Sequence, residues 1–205
     1  YERNKVWSDE LSLWQDAAEK SPQMSRPQVY LGNALRARGD YSGAKQAFEK
    51  ALTLDPEHRS ARTNLANIYL EAARRDSARS SEYLQRAEQQ YVRVLALDPT
   101  YNEALNNLGS LYLMRGDLAR AEELFANSLE RNPNFSDAYY NWGQVKALRG
   151  DFAAAAQLFE RGLALVDDGE MWYELGNARA QLNQLPEAAL AYRKAIELSG
   201  NDSRS

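Results

Sequence analysis

Small and apolar residues recur along this chain with a long period instead of the two-residue alternation of a half-buried strand. Five dipeptides mark it: Leu31-Gly32, Leu65-Ala66, Leu108-Gly109, Trp142-Gly143 and Leu175-Gly176, spaced 34, 43, 34 and 33 residues apart. An alanine follows each mark, at Ala44, Ala87, Ala121, Ala155 and Ala188, and four residues later comes an aromatic: Phe48, Tyr91, Phe125, Phe159 and Tyr192. A small residue and an aliphatic usually come next, as in Ala51-Leu52, Gly162-Leu163 and Ala195-Ile196. Within each period the apolar positions step by three and four, which predicts two amphipathic helices per unit. Arg-Gly-Asp at 38–40, 115–117 and 149–151 reads as the turn between them. There glycine suits the left-handed residue that ends the first helix, and aspartate caps the second. Pro56, Pro99 and Pro133 then stop the second helix, because proline cannot continue its hydrogen-bond ladder.

The pattern predicts one domain over residues 1–205: a leading half-unit at 1–24, then full units at approximately 25–58, 59–101, 102–135, 136–168 and 169–202. The half-unit is a lone helix from Val6 to Lys20 that carries Trp14 and covers the open end of the first full unit. The unit at 59–101 holds an insertion near 73–81. Roughly eleven helices are expected, none stable alone and each burying its apolar face against its neighbours. Nothing resembling a further helix follows Leu198, so the last unit either ends bare, meets a partner or continues.

Composition agrees with helix: alanine, leucine, glutamate, arginine and glutamine dominate, and valine, isoleucine and threonine are scarce. A net charge of −4 offers no basic field for a phosphate backbone, so nucleic acid is not an expected partner. No apolar run approaches the length of a membrane span, so direct membrane insertion is not expected either. With no cysteine and one histidine, thiolate metal sites and Cys/His chemistry are absent, and no metal or cofactor is expected. Lack of cysteine suits an oxidising compartment only weakly, since many cytoplasmic domains also lack it.

The marks at repeat positions 7, 8, 20, 24, 27 and 32 resemble those of the tetratricopeptide repeat (TPR) family over nearly the whole chain. Departures fall at position 4, where Gln28 and Arg62 stand, and at position 11, where Lys146 and Arg179 replace an aromatic. The resemblance implies an all-α, right-handed superhelix (α-solenoid) of helix-turn-helix repeats, a protein- or peptide-binding scaffold without a catalytic site. It further implies that the first helix of each unit, helix A, lines a concave groove.

Mapped onto this chain, position 6 of helix A holds Tyr30, Asn64, Asn107, Asn141 and Glu174, and position 9 holds Asn33, Asn67, Ser110, Gln144 and Asn177. Amides in register can both donate to and accept from an extended peptide backbone, an arrangement that resembles the asparagine ladder of the O-GlcNAc transferase repeat domain. Such residues also recur in TPRs for reasons of packing. Tyr140 and Tyr173, at position 5 of adjacent units, are candidates for an amphipathic pocket or for contacts between A helices. Charge divides along this face, with Arg26 and Arg36 early and Glu103, Asp137 and Glu170 late. A ligand of opposite polarity would dock best. Position 5 has no lysine, which argues against the carboxylate clamp of chaperone-binding TPRs.

Arg3-Asn4, Trp7, Glu10, Leu13-Trp14, Ala17, Ser21-Pro22 and Arg26 resemble the junction after the last membrane span in TMTC-type polytopic glycosyltransferases and their bacterial relatives. That resemblance implies an extracytoplasmic domain that recruits the acceptor protein; the alternative is a degenerate half-repeat, in either compartment. A homo-oligomer stacked through the terminal repeats is the competing function. His58 reads as a solvated turn residue, Asp168 as a helix cap, and Arg74, Arg75 and Arg79 as part of a helix extension.

Overall fold

The structure, a computed structural model, describes residues 9–202 and the side chains of 9–200. Among the described residues there are eleven α-helices: α1 (Glu10–Lys20), α2 (Ser25–Ala37), α3 (Tyr41–Leu54), α4 (Arg59–Arg75), α5 (Ser80–Leu97), α6 (Asn102–Met114), α7 (Leu118–Arg131), α8 (Ser136–Leu148), α9 (Phe152–Leu163), α10 (Gly169–Gln181) and α11 (Leu185–Asp202). The chain forms two compact units, Tyr1–Ala104 and Leu105–Ser205. In the first, α2 packs on α1 and α3, α3 on α4, and α4 on α5. In the second, α7 packs on α8, α8 on α9, α9 on α10, and α10 on α11.

Each unit is held by aromatic rings seated on a small residue. Phe48, Tyr91, Phe125 and Phe159 are wholly buried. At Gly143 a Cβ would lie 2.4 Å from Phe159 Cε1, so only the missing side chain lets α8 and α9 close on that ring. The turn before α9 takes Gly150 at φ 79°, and Asp151 then caps α9 by accepting from the Ala154 N–H at 3.2 Å. Gly39 and Gly116 make the same turn, so the three Arg-Gly-Asp tripeptides are structural. Asn183, at φ 59°, takes the glycine's place before α11.

The leading helix is shorter than its sequence suggests. Asp9 is extended and caps α1, accepting from the Leu11 and Ser12 N–H groups at 2.8 and 3.1 Å, so the helix starts at Glu10. Val6, Trp7 and Ser8 lie outside the described residues. Trp14 stacks on Tyr30 of α2 at 4.2 Å between ring centroids. The insertion is absorbed as helix: α4 and α5 run 17 and 18 residues, joined by the 3-10 turn Ser77–Arg79. Arg75, at its edge, lies 3.9 Å over the Tyr41 ring. His58 is not merely a turn residue in solvent, since its Nδ1 caps α4 by accepting from the Ala61 N–H at 3.3 Å.

Polar residues at apolar repeat positions are accommodated in different ways. Gln28 is buried, and Arg62 donates to Gln90 Oε1 at 2.9 Å and to the Pro56 carbonyl. Lys146 of α8 reaches Glu122 of α7 at 2.5 Å, and Arg179 of α10 pairs with Glu160 of α9. In both cases an ion pair to the preceding helix stands where an aromatic would pack.

Candidate functional site

The groove candidates fall into separate local environments. In Tyr1–Ala104, Arg26 and Arg36 are exposed on α2, while Tyr30 is half-buried under Trp14. Asn64 is buried and its Nδ2 donates to Asn33 Oδ1 at 2.9 Å, so position 6 of one repeat bonds position 9 of the previous one. Asn67 Oδ1 accepts from the Tyr91 hydroxyl of its own repeat. These amides already use part of their hydrogen-bonding capacity inside the protein.

In Leu105–Ser205 the amides again meet. Asn141 Nδ2 donates to Asn106 Oδ1 at 3.0 Å, and Asn106 Nδ2 donates to Asn107 Oδ1 at 3.4 Å. Gln144 is half-buried on α8. Beyond them opens a cleft of about 1020 Å³ between α8, α10 and α11. Tyr140, Tyr173 and Tyr192 line it with Glu170 and Glu174, and Gly169, Ala195 and Ile196 add an apolar part of the lining. Tyr173 lies 5.7 Å from Tyr192, ring tilted to ring, and remains 53% exposed. Tyr140 rests on the buried Phe159 ring at 6.2 Å. The Tyr192 hydroxyl donates to Asn177 Oδ1 at 2.8 Å, and Asn177 Nδ2 donates to Glu174 at 3.2 Å, which orients three lining or flanking groups together.

Tyr140, Tyr173 and Asn177 thus gather around one cleft, but Tyr192 and Ile196 come from helix B of the last unit, which a reading of A helices omits. The signal available was Tyr192 itself, where three of the other units have phenylalanine. The site is electronegative. Burial first, then the charges of Glu170, Glu174 and Asp168, push the Tyr140 phenol up to about 12. Burial, Tyr173 and Glu174 raise Tyr192 as well.

A family model described as tetratricopeptide repeat matches residues 35–80 and 82–142, and a second model of the same description matches 140–203. The chain belongs to the tetratricopeptide repeat family. Its TPRs are similar to solved structures of other TPR proteins. A thermophilic TPR protein of Thermus thermophilus is 25% identical, with a TM-score of 0.72 over 88% of this chain and 94% of that one. The Cut9–Hcn1 hetero-tetramer of APC/C has a chain 20% identical, with a TM-score of 0.81 over 98% of this chain and 38% of that one. YrrB, a TPR protein with an unusual peptide-binding site, is 19% identical, with a TM-score of 0.61 over 90% of this chain and 91% of that one. No curated protein matches the sequence. Of the residues that resemble the glycosyltransferase junction, Arg3, Asn4 and Trp7 lie outside the described residues; Glu10, Leu13, Trp14 and Ala17 form part of α1. Among the described residues no helix is long and apolar enough to cross a membrane.

Proposed function

We propose that this chain is a protein-binding scaffold that holds an extended segment of its partner on the A-helix side, anchored in the cleft of Tyr140, Tyr173 and Tyr192. The observation that carries this reading is the open aromatic cleft itself, about 1020 Å³ with Tyr173 53% and Ile196 72% exposed. Rings that bury a large area at low entropic cost are the usual anchors of such contacts. Asn141 and Gln144, beside the cleft on α8, offer polar groups for a peptide backbone. Peptide binding by YrrB, similar in fold, agrees with a role of this kind. Recruiting an acceptor protein to a membrane glycosyltransferase would be one instance of that role, resting on the resemblance of residues 3–26.

Binding of an array of short random peptides to the chain and to Tyr173→Ala tests the proposal. A subset of peptides should bind, and the substitution should weaken them about tenfold or more, the loss of one hot-spot ring. An array that stays dark, or binding that survives the substitution, counts against it. A second reading, self-assembly, is favoured by Leu185, Leu190 and Ile196 of α11, which are 60%, 59% and 72% exposed. Sedimentation over a wide concentration range decides it, and a strict monomer rules it out.

A further inference from the structure

The cleft has a charge pattern as well as a shape. Glu170 and Glu174 line it, and among the described residues no lysine or arginine does. A second, smaller hollow of about 350 Å³ shares Tyr140 and Glu170 with it and adds Asp137 and Asp168, again with no cation among the described residues. Two basic residues nearby are engaged elsewhere: Arg179 pairs with Glu160, and Lys194 with Glu197 at 2.9 Å. Glu170 forms no ion pair among the described residues. The phenol of Tyr140 stays protonated to about 12, in part because those carboxylates surround it.

We propose that the cleft takes a lysine or arginine side chain of the partner, its cationic head between the tyrosine rings and Glu170 and Glu174, with an apolar neighbour against Ala195 and Ile196. This rests on the scaffold reading above and names the chemistry of the segment it binds. An aromatic face attracts a cation through its quadrupole, and adjacent carboxylates add direct attraction in a partly desolvated site. The methylene stem of lysine or arginine matches the apolar wall, while its head reaches the carboxylates. An anionic or phosphorylated segment meets like charge at four carboxylates instead. A bare metal ion is a poor alternative, because among the described residues no three carboxylates or imidazoles converge closely enough to hold one.

Three labelled peptides test this by fluorescence anisotropy against the whole chain: one that repeats leucine, serine and lysine, and its analogues with glutamine or glutamate in place of lysine. The lysine peptide should bind about tenfold more tightly than the glutamine one, and the glutamate peptide most weakly. Glu170→Gln with Glu174→Gln should bring the lysine peptide down to the glutamine level, and Glu170→Gln alone part of the way. Added salt should erode the same difference. A control with Glu123→Gln and Glu130→Gln, both exposed on α7 and outside the cleft lining, removes the same net charge and should keep the preference.

Equal binding of the lysine and glutamine peptides, still lost in Tyr173→Ala, leaves the scaffold standing and overturns the cationic preference alone. Equal erosion by the control pair also overturns it, since attraction to an acidic chain would then suffice. Failure of every peptide overturns both readings. A doubling of mass that Tyr173→Ala reverses assigns the cleft to a second copy of the chain and overturns the cationic segment as its occupant.

Discussion

Both compact units pair amides on their A-helix faces, but they differ in what becomes of the aromatic and polar groups at groove positions 5, 6 and 9. In Tyr1–Ala104 the polar groups meet each other: Asn64 is 8% exposed and bonded to Asn33, and Tyr30 is stacked on Trp14. In Leu105–Ser205, Tyr173 stands 53% exposed over a cleft. A residue type at a groove position is therefore not a binding group by itself. What decides is whether the neighbouring repeat or helix supplies a partner. A satisfied buried amide contributes to stability, and its removal leaves an orphan. A ring held open to water contributes little to stability and is available to a ligand.

The sharpest way to break that contrast is from beneath the cleft. Phe159 is wholly buried, carries Tyr140 at 6.2 Å and fills the space at Gly143. Phe159→Ala should cost about 3–5 kcal/mol, the loss of a core ring and the cavity left behind, measured as a shift in denaturant midpoint. Peptide binding should fall with it, because Tyr140 loses its support. A loss under about 1 kcal/mol would mean that the site relaxes freely and that the cleft does not depend on this ring.

The amide face gives the reverse outcome. Asn64→Ala should cost about 1–3 kcal/mol by orphaning Asn33, with peptide affinity at the cleft unchanged. Removing both amides together should cost less than the sum of the single losses, because no partner is left behind. If the single losses simply add, the pair is not coupled. If peptide affinity falls instead, the amide face is itself a ligand surface.

These contrasts show which features sequence could reveal. The helices and the family were legible because the marks are steric: a glycine facing a buried ring at 32 and 48, 109 and 125, or 143 and 159 states that two axes meet there. Small-residue spacing and proline stops act within one repeat, where distance along the chain is distance along a helix. Pairing between repeats is a different matter. Asn33 and Asn64 are 31 residues apart, and nothing in either residue type says that their amides face each other. The same holds for Arg179 and Glu160, where a charge at an aromatic position gave no hint of its partner. The start of α1 was missed because its signal is local: the Asp9 side chain caps the helix by accepting from the Leu11 and Ser12 N–H groups. Tyr192 joined the cleft because position 24 is covered in the earlier units, as wholly buried Tyr91 shows, and half-open in the last.

The smallest effect probes the field in the open cleft. Burial and then the charges of Glu170, Glu174 and Asp168 hold the Tyr140 phenol up to about 12, against 10.0 for a free tyrosine. The folded state keeps that proton to higher pH than the unfolded chain does, so unfolding releases it between about 10 and about 12. Stability from this group is complete below pH of about 10 and falls as pH rises through that window. Glu170→Gln should lower the Tyr140 midpoint only part of the way, because burial, the larger cause, is untouched. With 12 tyrosines in the chain, the signal is the phenolate absorbance lost on Tyr140→Phe, taken as a difference titration in each background. An unmoved midpoint would mean that Glu170 is too well screened by water to charge the cleft. The cationic preference would then have to come from the tyrosine rings and Glu174 alone. A return all the way to 10.0 would make charge, and not burial, the dominant cause. The cleft would then be a wetter, more exposed surface than the resting place of Tyr140 on Phe159 implies.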